Sequence, residues 1–569
     1  MSLGRFITAL SVVALGGRAS AATPGVLQIP FTSDALVSLN DPGGQYGGPG
    51  QMTYGQAHNQ ASMGRYGPDG PWQAVAISVG DFALKESTRN PYSGVWPVIG
   101  GVTFLLGGQA GGNYTAQASQ RKQSVSFRPD PSTYFTNAIM TYDGQTSAES
   151  AALVTANSSV GQLSVHRLLG ASDYESFNFT AEVVEMTVWE ISLRNGGKYT
   201  PKTGLLGMKA VLNSLTGNVC TTACTKEDFK NIGVIGSRTF SLHIGSVSTI
   251  IGQQGSFALG GYEQTRIVGP VGVFDLMDDM PVVFLRDLFL GVESGYSPFL
   301  TDRADNISVF TGLPLGDVRS AELNSKLRAS QGSVVLTPSA AAPGIYLPRY
   351  LCEGLAPYLP VIHDPSTGYY LWDTASPFYN VVVNSAGYLG FVISDRNARN
   401  ITIKVPFILL DLDLEPPLVP VTTKYFPCHP LPSSPGGHWL LGRAFLQAAF
   451  FGYSLDQNVS YLAQAPGPDV EQSVVRAWRP ESVGVPEDSS LPLDAFYRSW
   501  WRHMFRLNTP LDPVSGVPLR ATGGGGLRRG KRGGGGAVEL GLGGTEVVEL
   551  GDEKEKEVGV VERKEQVSD

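Results

Sequence analysis

The chain has 569 residues, too many for one ordinary hydrophobic core, so its length predicts two packed units with extensions. It carries 42 Lys+Arg against 50 Asp+Glu, a formal net charge of -8, and only 16% of its residues are charged. This dilute acidity offers no basic stripe to track a phosphate backbone, which excludes a nucleic-acid binder of the usual electrostatic kind.

In chain order, residues 1–21 read as an export signal. Arg5 supplies the positive start, residues 6–17 the apolar stretch, and Ala19-Ser20-Ala21 a small-residue cleavage site. A buried first strand or a membrane anchor would use similar letters. No later run approaches the ~20 apolar residues of a spanning helix, so no transmembrane segment is expected. The mature chain is expected to be secreted, in the extracellular space or the cell wall. Residues 22–70 read as an irregular leader, rich in Gly, Gln and Pro from position 41 onward. Regular structure is expected from Trp72-Gln73-Ala74-Val75-Ala76-Ile77-Ser78-Val79-Gly80, where apolar residues alternate at period two. Strand-like stretches follow at 182–191, 256–261, 332–337 and 401–410, punctuated by turn residues. Plentiful Gly (69) and Pro (38) with little helical periodicity predict an all-β protein.

Export would make the four cysteines disulfide partners rather than metal ligands. Of the three possible pairings, Cys352–Cys428 with Cys220–Cys224 is preferred, because each pair staples one region. The first closes a long loop, worth about 4–5 kcal/mol in the chain-entropy model. Sequons at Asn113, Asn157, Asn178, Asn306, Asn400 and Asn458 become glycan acceptors if the chain is exported.

Thr203-Gly204-Leu205-Leu206-Gly207-Met208 and Trp439-Leu440-Leu441-Gly442-Arg443-Ala444-Phe445 echo each other, two large apolar residues preceding a glycine. The recurrence points to a duplicated lobe. From 469 to 569 the composition turns to glycine runs (523–526, 533–536) and mixed charge (552–557), which predicts a mostly disordered tail. Within it, Phe496-Tyr497-Arg498-Ser499-Trp500-Trp501-Arg502-His503-Met504-Phe505-Arg506 has the pattern of a short cationic amphipathic helix, suited to docking on the body, on a partner or on a membrane surface.

Several segments, in order, resemble secreted pepsin-like aspartic peptidases, especially divergent filamentous-fungal members. They are Gly236-Ser237-Arg238-Thr239-Phe240-Ser241-Leu242; the Gly-Gly-aromatic-acid turn within Gly255-Ser256-Phe257-Ala258-Leu259-Gly260-Gly261-Tyr262-Glu263; Ile345-Tyr346-Leu347-Pro348 with Leu351-Cys352-Glu353; and Leu440-Leu441-Gly442-Arg443-Ala444-Phe445-Leu446 through Leu462-Ala463-Gln464-Ala465-Pro466. The resemblance covers about 71–468 and is poor before position 202. It implies an all-β, bilobal pepsin-like acid-protease fold, with lobes at 71–275 and 276–468 meeting at a central cleft.

Such peptidases hold two carboxylates that share one proton, one acting as base on a water while the other polarises the scissile carbonyl. The resemblance implies one Asp-Thr/Ser-Gly/Thr loop per lobe, yet the chain contains neither Asp-Thr-Gly nor Asp-Ser-Gly. In the family the second acid stands nine positions before the proline that closes the loop. With Pro348 as that proline, Ser339 occupies the place of the aspartate, and no Asp lies between Asp317 and Asp364. The first motif should follow the 72–80 strand. Neither Asp81 nor Glu86-Ser87-Thr88 supplies it, and 81–109 does not align. Tyr142, in Tyr142-Asp143-Gly144, is a flap candidate or a surface turn.

Asp373-Thr374-Ala375-Ser376 imitates the catalytic triplet but lies well past the loop and reads as a turn. Asp411 and Asp413 alternate with leucines, as on a strand with one wet face, and Asp278-Asp279 reads as an inter-lobe turn. The seven histidines show no metal spacing, so no metal and no cofactor are expected. Gly525 to Lys531 imitates a phosphate loop but lacks the Ser/Thr, and Lys531-Arg532 has the form of a processing site. The leading expectation is an inactive aspartic-protease homologue whose cleft binds a peptide, glycan or secreted protein. The alternatives are an active aspartic endopeptidase with a rewired site, and a structural cell-surface glycoprotein.

Overall fold

Alternating burial shows how the strands arise. Along Val283–Val292, Val283 and Leu285 are buried while Phe284 and Arg286 are exposed; the buried set then moves to Leu288 and Leu290. A register shift against Gly387–Ser394, between Leu285 and Asp287, supplies the extra residue that changes the phase. Beyond it, Ile401, Ile403 and Val405 line the buried face of Asn400–Pro406. The expected 401–410 strand stops there, because Phe407–Leu409 turns into a short 3-10 segment.

The computed structural model describes residues 25–31, 65–70, 72–79, 92–106, 121–127, 152–168, 174–192, 198–199, 201–216, 233–247, 253–300, 307–310, 333–431, 439–468, 473–478, 491–492, 500–504, 506–512 and 516. All lie in the unit Met1–Arg520; the second unit, Ala521–Asp569, is outside the described residues.

The strands build an all-β architecture with two large sheets, one to each lobe. The first lobe is an eight-stranded sheet whose spatial order is Lys198–Tyr199, Tyr174–Ser192, Val102–Leu106, Gly204–Gly207, Tyr92–Val98, Val75–Val79, Ala152–Leu168 and Arg121–Phe127. The second runs Asn400–Pro406, Gly387–Ser394, Val283–Val292, Val334–Pro338, Trp439–Leu441, Ile345–Pro348 and Cys428–Leu431, with Ile307–Ser308 added to Val283–Val292. A seven-stranded sheet joins them. In it Thr239–His243, from before the midpoint, pairs with Ala449–Ser454 from the far end of the second half, Phe240 opposite Tyr453. Every residue of Ala449–Ser454 and Val459–Gln464 is buried. Phe451, Tyr453 and Leu462 join the main core, whereas Phe450, Val459, Tyr461 and Ala463 join a second cluster on the opposite face.

That second face corrects the expected extent of the tail. Val475–Ala477 pairs with Gly261–Glu263, and Trp478 packs edge-on against Tyr262 (centroids 5.3 Å) and at a tilt against Tyr461 (4.6 Å). Trp500 is wholly buried and donates its indole N–H to the Ala465 carbonyl at 3.2 Å; Trp501, Met504 and Leu507 are buried too. Large apolar side chains past position 469 close surface that the joining sheet would otherwise expose. Of the expected amphipathic helix, the described residues are Trp500, which is helical, and the 3-10 turn Trp501–His503 that follows it, with Met504 and Arg506 beyond; the other positions lie outside the described residues. The leader is corrected likewise: Leu27–Gln28 is a strand of the joining sheet, and Phe31 is buried and bridges Val75.

The disulfide Cys352–Cys428 is formed, its Cα atoms 5.8 Å apart across a sequence separation of 76, and ties the helix Arg349–Leu355 to the strand Cys428–Leu431. Cys220 and Cys224 fall outside the described residues. Among the described residues no helix is long and apolar enough to cross a membrane.

Candidate functional site

Each lobe contains the same three-strand unit. In the first, an outgoing arm (Tyr92–Val98) and a return arm (Val102–Leu106) flank a central strand, Gly204–Gly207. The central strand is parallel to the outgoing arm, Leu205 opposite Trp96 and Gly207 opposite Val98, and antiparallel to the return arm, Leu205 opposite Phe104. In the second lobe, Val334–Pro338 and Ile345–Pro348 flank Trp439–Leu441 in the same senses, with Leu440 opposite both Thr337 and Tyr346. The return arm of each unit pairs on its other side with a further, parallel strand, Tyr174–Ser192 in the first lobe and Cys428–Leu431 in the second. The echo seen in sequence, Leu-Leu-Gly, is therefore the central strand of each unit. A Cβ on Gly207 would lie 2.5 Å from the Val102 carbonyl oxygen, and one on Gly442 2.2 Å from that of Gly344, so both glycines admit the opposing backbone.

Matching Gly207 to Gly442 puts Trp96-Pro97-Val98 on Thr337-Pro338-Ser339. Ser339 then has a first-lobe counterpart, Val98, both buried. The turn after Val98, Ile99-Gly100-Gly101, is one residue shorter than Ala340-Ala341-Ala342-Pro343. This corrects the expectation that the first-lobe loop directly follows the 72–80 strand: the unit is built on the next pair of strands. Ser339 donates its backbone N–H to the Leu441 carbonyl at 2.9 Å.

Between the units lies Arg443, the residue after the second central glycine. Its guanidinium is wholly buried. Nη1 donates to the carbonyls of Ala340 (2.8 Å) and Ala341 (2.9 Å), and Cζ sits 3.7 Å from the Trp96 ring centroid and 5.3 Å from that of Trp72. Nη2 is 3.9 Å from Asp69 Oδ1, beyond hydrogen-bond reach, and Arg443 Nε and Nη2 and Asp69 Oδ2 have no hydrogen-bond partner. Asp69 sits on a turn whose Gly67 (φ 106) and Gly70 (φ 139) adopt backbone that other residues rarely enter. Its Oδ1 accepts from Trp72 Nε1 at 2.8 Å, and its backbone carbonyl from the Tyr425 hydroxyl at 2.7 Å.

Burial raises the Asp69 carboxyl to about 6; Arg443 and the Trp72 hydrogen bond oppose that rise without cancelling it. Burial also pushes the Tyr425 phenol up, helped by the carboxyl of Asp69. His429, stacked on Tyr346 at 4.5 Å, is driven down to about 3 by burial and stays neutral.

Proton sharing between acids needs two carboxyl groups in contact. Among the described residues, the paired positions hold an isopropyl group and a hydroxyl, and the nearby carboxylate, Asp69, faces a guanidinium. No group of three or more described His, Cys, Asp or Glu residues could hold a metal.

The other sequence candidates lie apart. Asp373 belongs to a turn, its Oδ1 accepting from the Ala375 N–H at 3.2 Å, and Ser376 caps the helix Pro377–Asn384. Asp411 accepts from the Tyr379 hydroxyl at 2.9 Å and pairs with Lys424 at 3.3 Å; Asp413 pairs with the same lysine at 3.2 Å. Asp278 and Asp279 form a tight turn with φ of 50 and 62. Asn157 and Asn178 lie on the paired strands Ala152–Leu168 and Tyr174–Ser192, while Asn400 and Asn458 are exposed. Tyr142, Asn113, Asn306 and the Gly525 to Arg532 motifs fall outside the described residues. Sequence reasoning missed Asp69, Trp96, Val98 and Arg443. The signal that could have found Val98 is the proline before it, which Ser339 shares.

No family model matches the chain, and no curated protein matches it in sequence. Among solved structures it is similar to the aspartic proteinase from Irpex lacteus, at 12% identity and a TM-score of 0.38, over 69% of this chain and 94% of that one. The lobes of this chain are defined by its own strand pairings.

Proposed function

We propose that this is a secreted, catalytically silent relative of pepsin-like aspartic peptidases, whose surface between the lobes binds a peptide, glycan or secreted protein partner. One observation supports the reading: the two matching strand units carry Val98 and Ser339 at equivalent positions, which the sequence resemblance would assign to the acids, and a buried guanidinium lies between the two units. A valine cannot move a proton, and a serine hydroxyl does not share one with a carboxylate as a second acid does. Loss of positioned acid–base help alone removes ~10²–10⁴ in rate. A fold retained without its chemistry supports binding as the remaining role.

The test is hydrolysis of a peptide library from pH 3 to 7, with and without an inhibitor that mimics the tetrahedral transition state. No cleavage above background is expected, and Asp69→Asn leaves that background unchanged. Cleavage that the inhibitor blocks and Asp69→Asn abolishes would establish a rewired endopeptidase instead. Recovery of one stable partner from secretions supports the binding role; its consistent absence favours a structural surface glycoprotein.

A further inference from the structure

The turn at 67–70 reaches from the first lobe into the second. It hangs from the hairpin Arg65–Tyr66 and Trp72–Gln73, which leads directly into Val75–Val79 of the first-lobe sheet. Its tip is held by second-lobe groups. Glu415 donates its backbone N–H to the Pro68 carbonyl at 2.7 Å, the Tyr425 hydroxyl bonds the Asp69 carbonyl, and Arg443 faces the Asp69 side chain. We propose that this turn is a proton-operated latch between the lobes: a neutral Asp69 seats it firmly, and ionisation of Asp69 loosens it.

The geometry gives the direction. A neutral carboxyl keeps its acceptor bond from Trp72 and adds no charge to a site lined by Trp72 and Tyr425. An ionised carboxyl needs a close cation. Arg443 commits Nη1 to two loop carbonyls and stands 3.9 Å away, so it only partly compensates. From the remaining elements, Tyr425 presents a phenol, Glu415 meets the turn through its backbone, and His429 with Tyr346 and Tyr369 is stacked near Tyr425. Among the described residues, Arg443 is the charged side chain whose field acts on the Asp69 carboxyl.

The sign follows by linkage. The seated carboxyl titrates at about 6 and a released one near 3.8, so the seated state holds the proton more tightly. Stability from this group is greatest below about pH 4, declines as pH rises, and levels off above about 6.

Hydrogen exchange on the full chain reads the latch, because the amides of Glu415 and Trp72 are protected by Pro68 and Gly70 of the turn. After correction for intrinsic exchange, their opening constants are expected to rise about tenfold per pH unit between pH 4 and 6, roughly 100-fold in all, then plateau. Asp69→Asn flattens the profile. Arg443→Met moves the plateau to higher pH, since the cation that lowers the Asp69 pKa is gone, a shift no merely structural arginine would produce. Opening constants that ignore pH, or keep their slope in Asp69→Asn, overturn the latch. Should either variant fail to fold, carboxyl titration of the wild type decides: a buried carboxyl ionising near pH 6 supports the proposal, and its absence sinks it.

Discussion

Replacing Arg443 with methionine tests the centre of the molecule most directly. Methionine approximates the volume of the side chain, so the change deletes charge and donors more than it creates a cavity. Three losses follow. The Ala340 and Ala341 carbonyls lose charge-assisted bonds of 2.8 and 2.9 Å, each worth about 1.5–3 kcal/mol. The contact with Trp96 at 3.7 Å contributes about 2 kcal/mol when desolvated. Asp69 is left without its cation, which for a broken buried pair costs about 3–5 kcal/mol. These losses overlap rather than add, because Asp69 can bind a proton and shed its charge. The expected destabilisation at pH 7.5 is therefore about 3–5 kcal/mol. Urea melts followed by both tryptophan fluorescence and circular dichroism give the number where the two transitions coincide. In the double variant with Asp69→Asn, the loss should fall short of the sum by about 0.5–2 kcal/mol, the lower part of the range for neighbours, as befits a 3.9 Å separation. A single variant within 1 kcal/mol of wild type, or strict additivity, would refute the claim that Arg443 organises the junction of the lobes.

Three other outcomes are expected. Replacing both Cys352 and Cys428 with serine should cost about 4–5 kcal/mol from restored loop entropy across their separation of 76, read as a lower urea midpoint than wild type; an unchanged midpoint refutes it. Trp478→Ala should cost about 3–5 kcal/mol and raise hydrogen exchange in Gly261–Glu263 and Val475–Ala477, because it uncovers Tyr262 and Tyr461; a neutral effect means the segment past 469 is not part of the folded body. Expression through a secretory route should place glycans on the exposed Asn400 and Asn458, detected by mass after enzymatic release; bare asparagines at both sites would count against export.

Some of this architecture was legible in the letters, for an identifiable reason. Leu205-Leu206-Gly207 and Leu440-Leu441-Gly442 recur because a central strand buried on both sides needs large apolar residues, and the passing loop then permits no Cβ. Constraints that act on adjacent residues leave a local signature. The first-lobe arm left none: Gly94 and Pro97 interrupt Tyr92–Val98, and both are poor strand residues by propensity. Gly94 is there because a Cβ would meet the Tyr66 ring at 2.8 Å, a requirement set by a strand outside the local window. Asp69 lay in a stretch whose Gly and Pro content reads as loop, and the bond from Tyr425 to its carbonyl spans 356 residues. Composition reads that stretch as loop and hides that its turn at 67–70 is anchored at both lobes.

Arg443 was harder still, since arginine is almost never fully buried unless paired. Its presence follows from the loop it serves. Ala340-Ala341-Ala342-Pro343 has no side-chain donor, and two of its carbonyls turn inward, where unpaired oxygens are costly. An aspartate at the position of Ser339 would add acceptors to that place, not donors. A guanidinium reaching in from the residue after Gly442 satisfies both carbonyls with one nitrogen, and its flat face lies on Trp96. The buried charge then calls for an opposite one, which Asp69 brings from the other lobe at a distance too long for a bond and short enough for attraction. Read in that order, the cation at the centre is the consequence of a donor-poor loop, and the turn that carries Asp69 is the consequence of the cation.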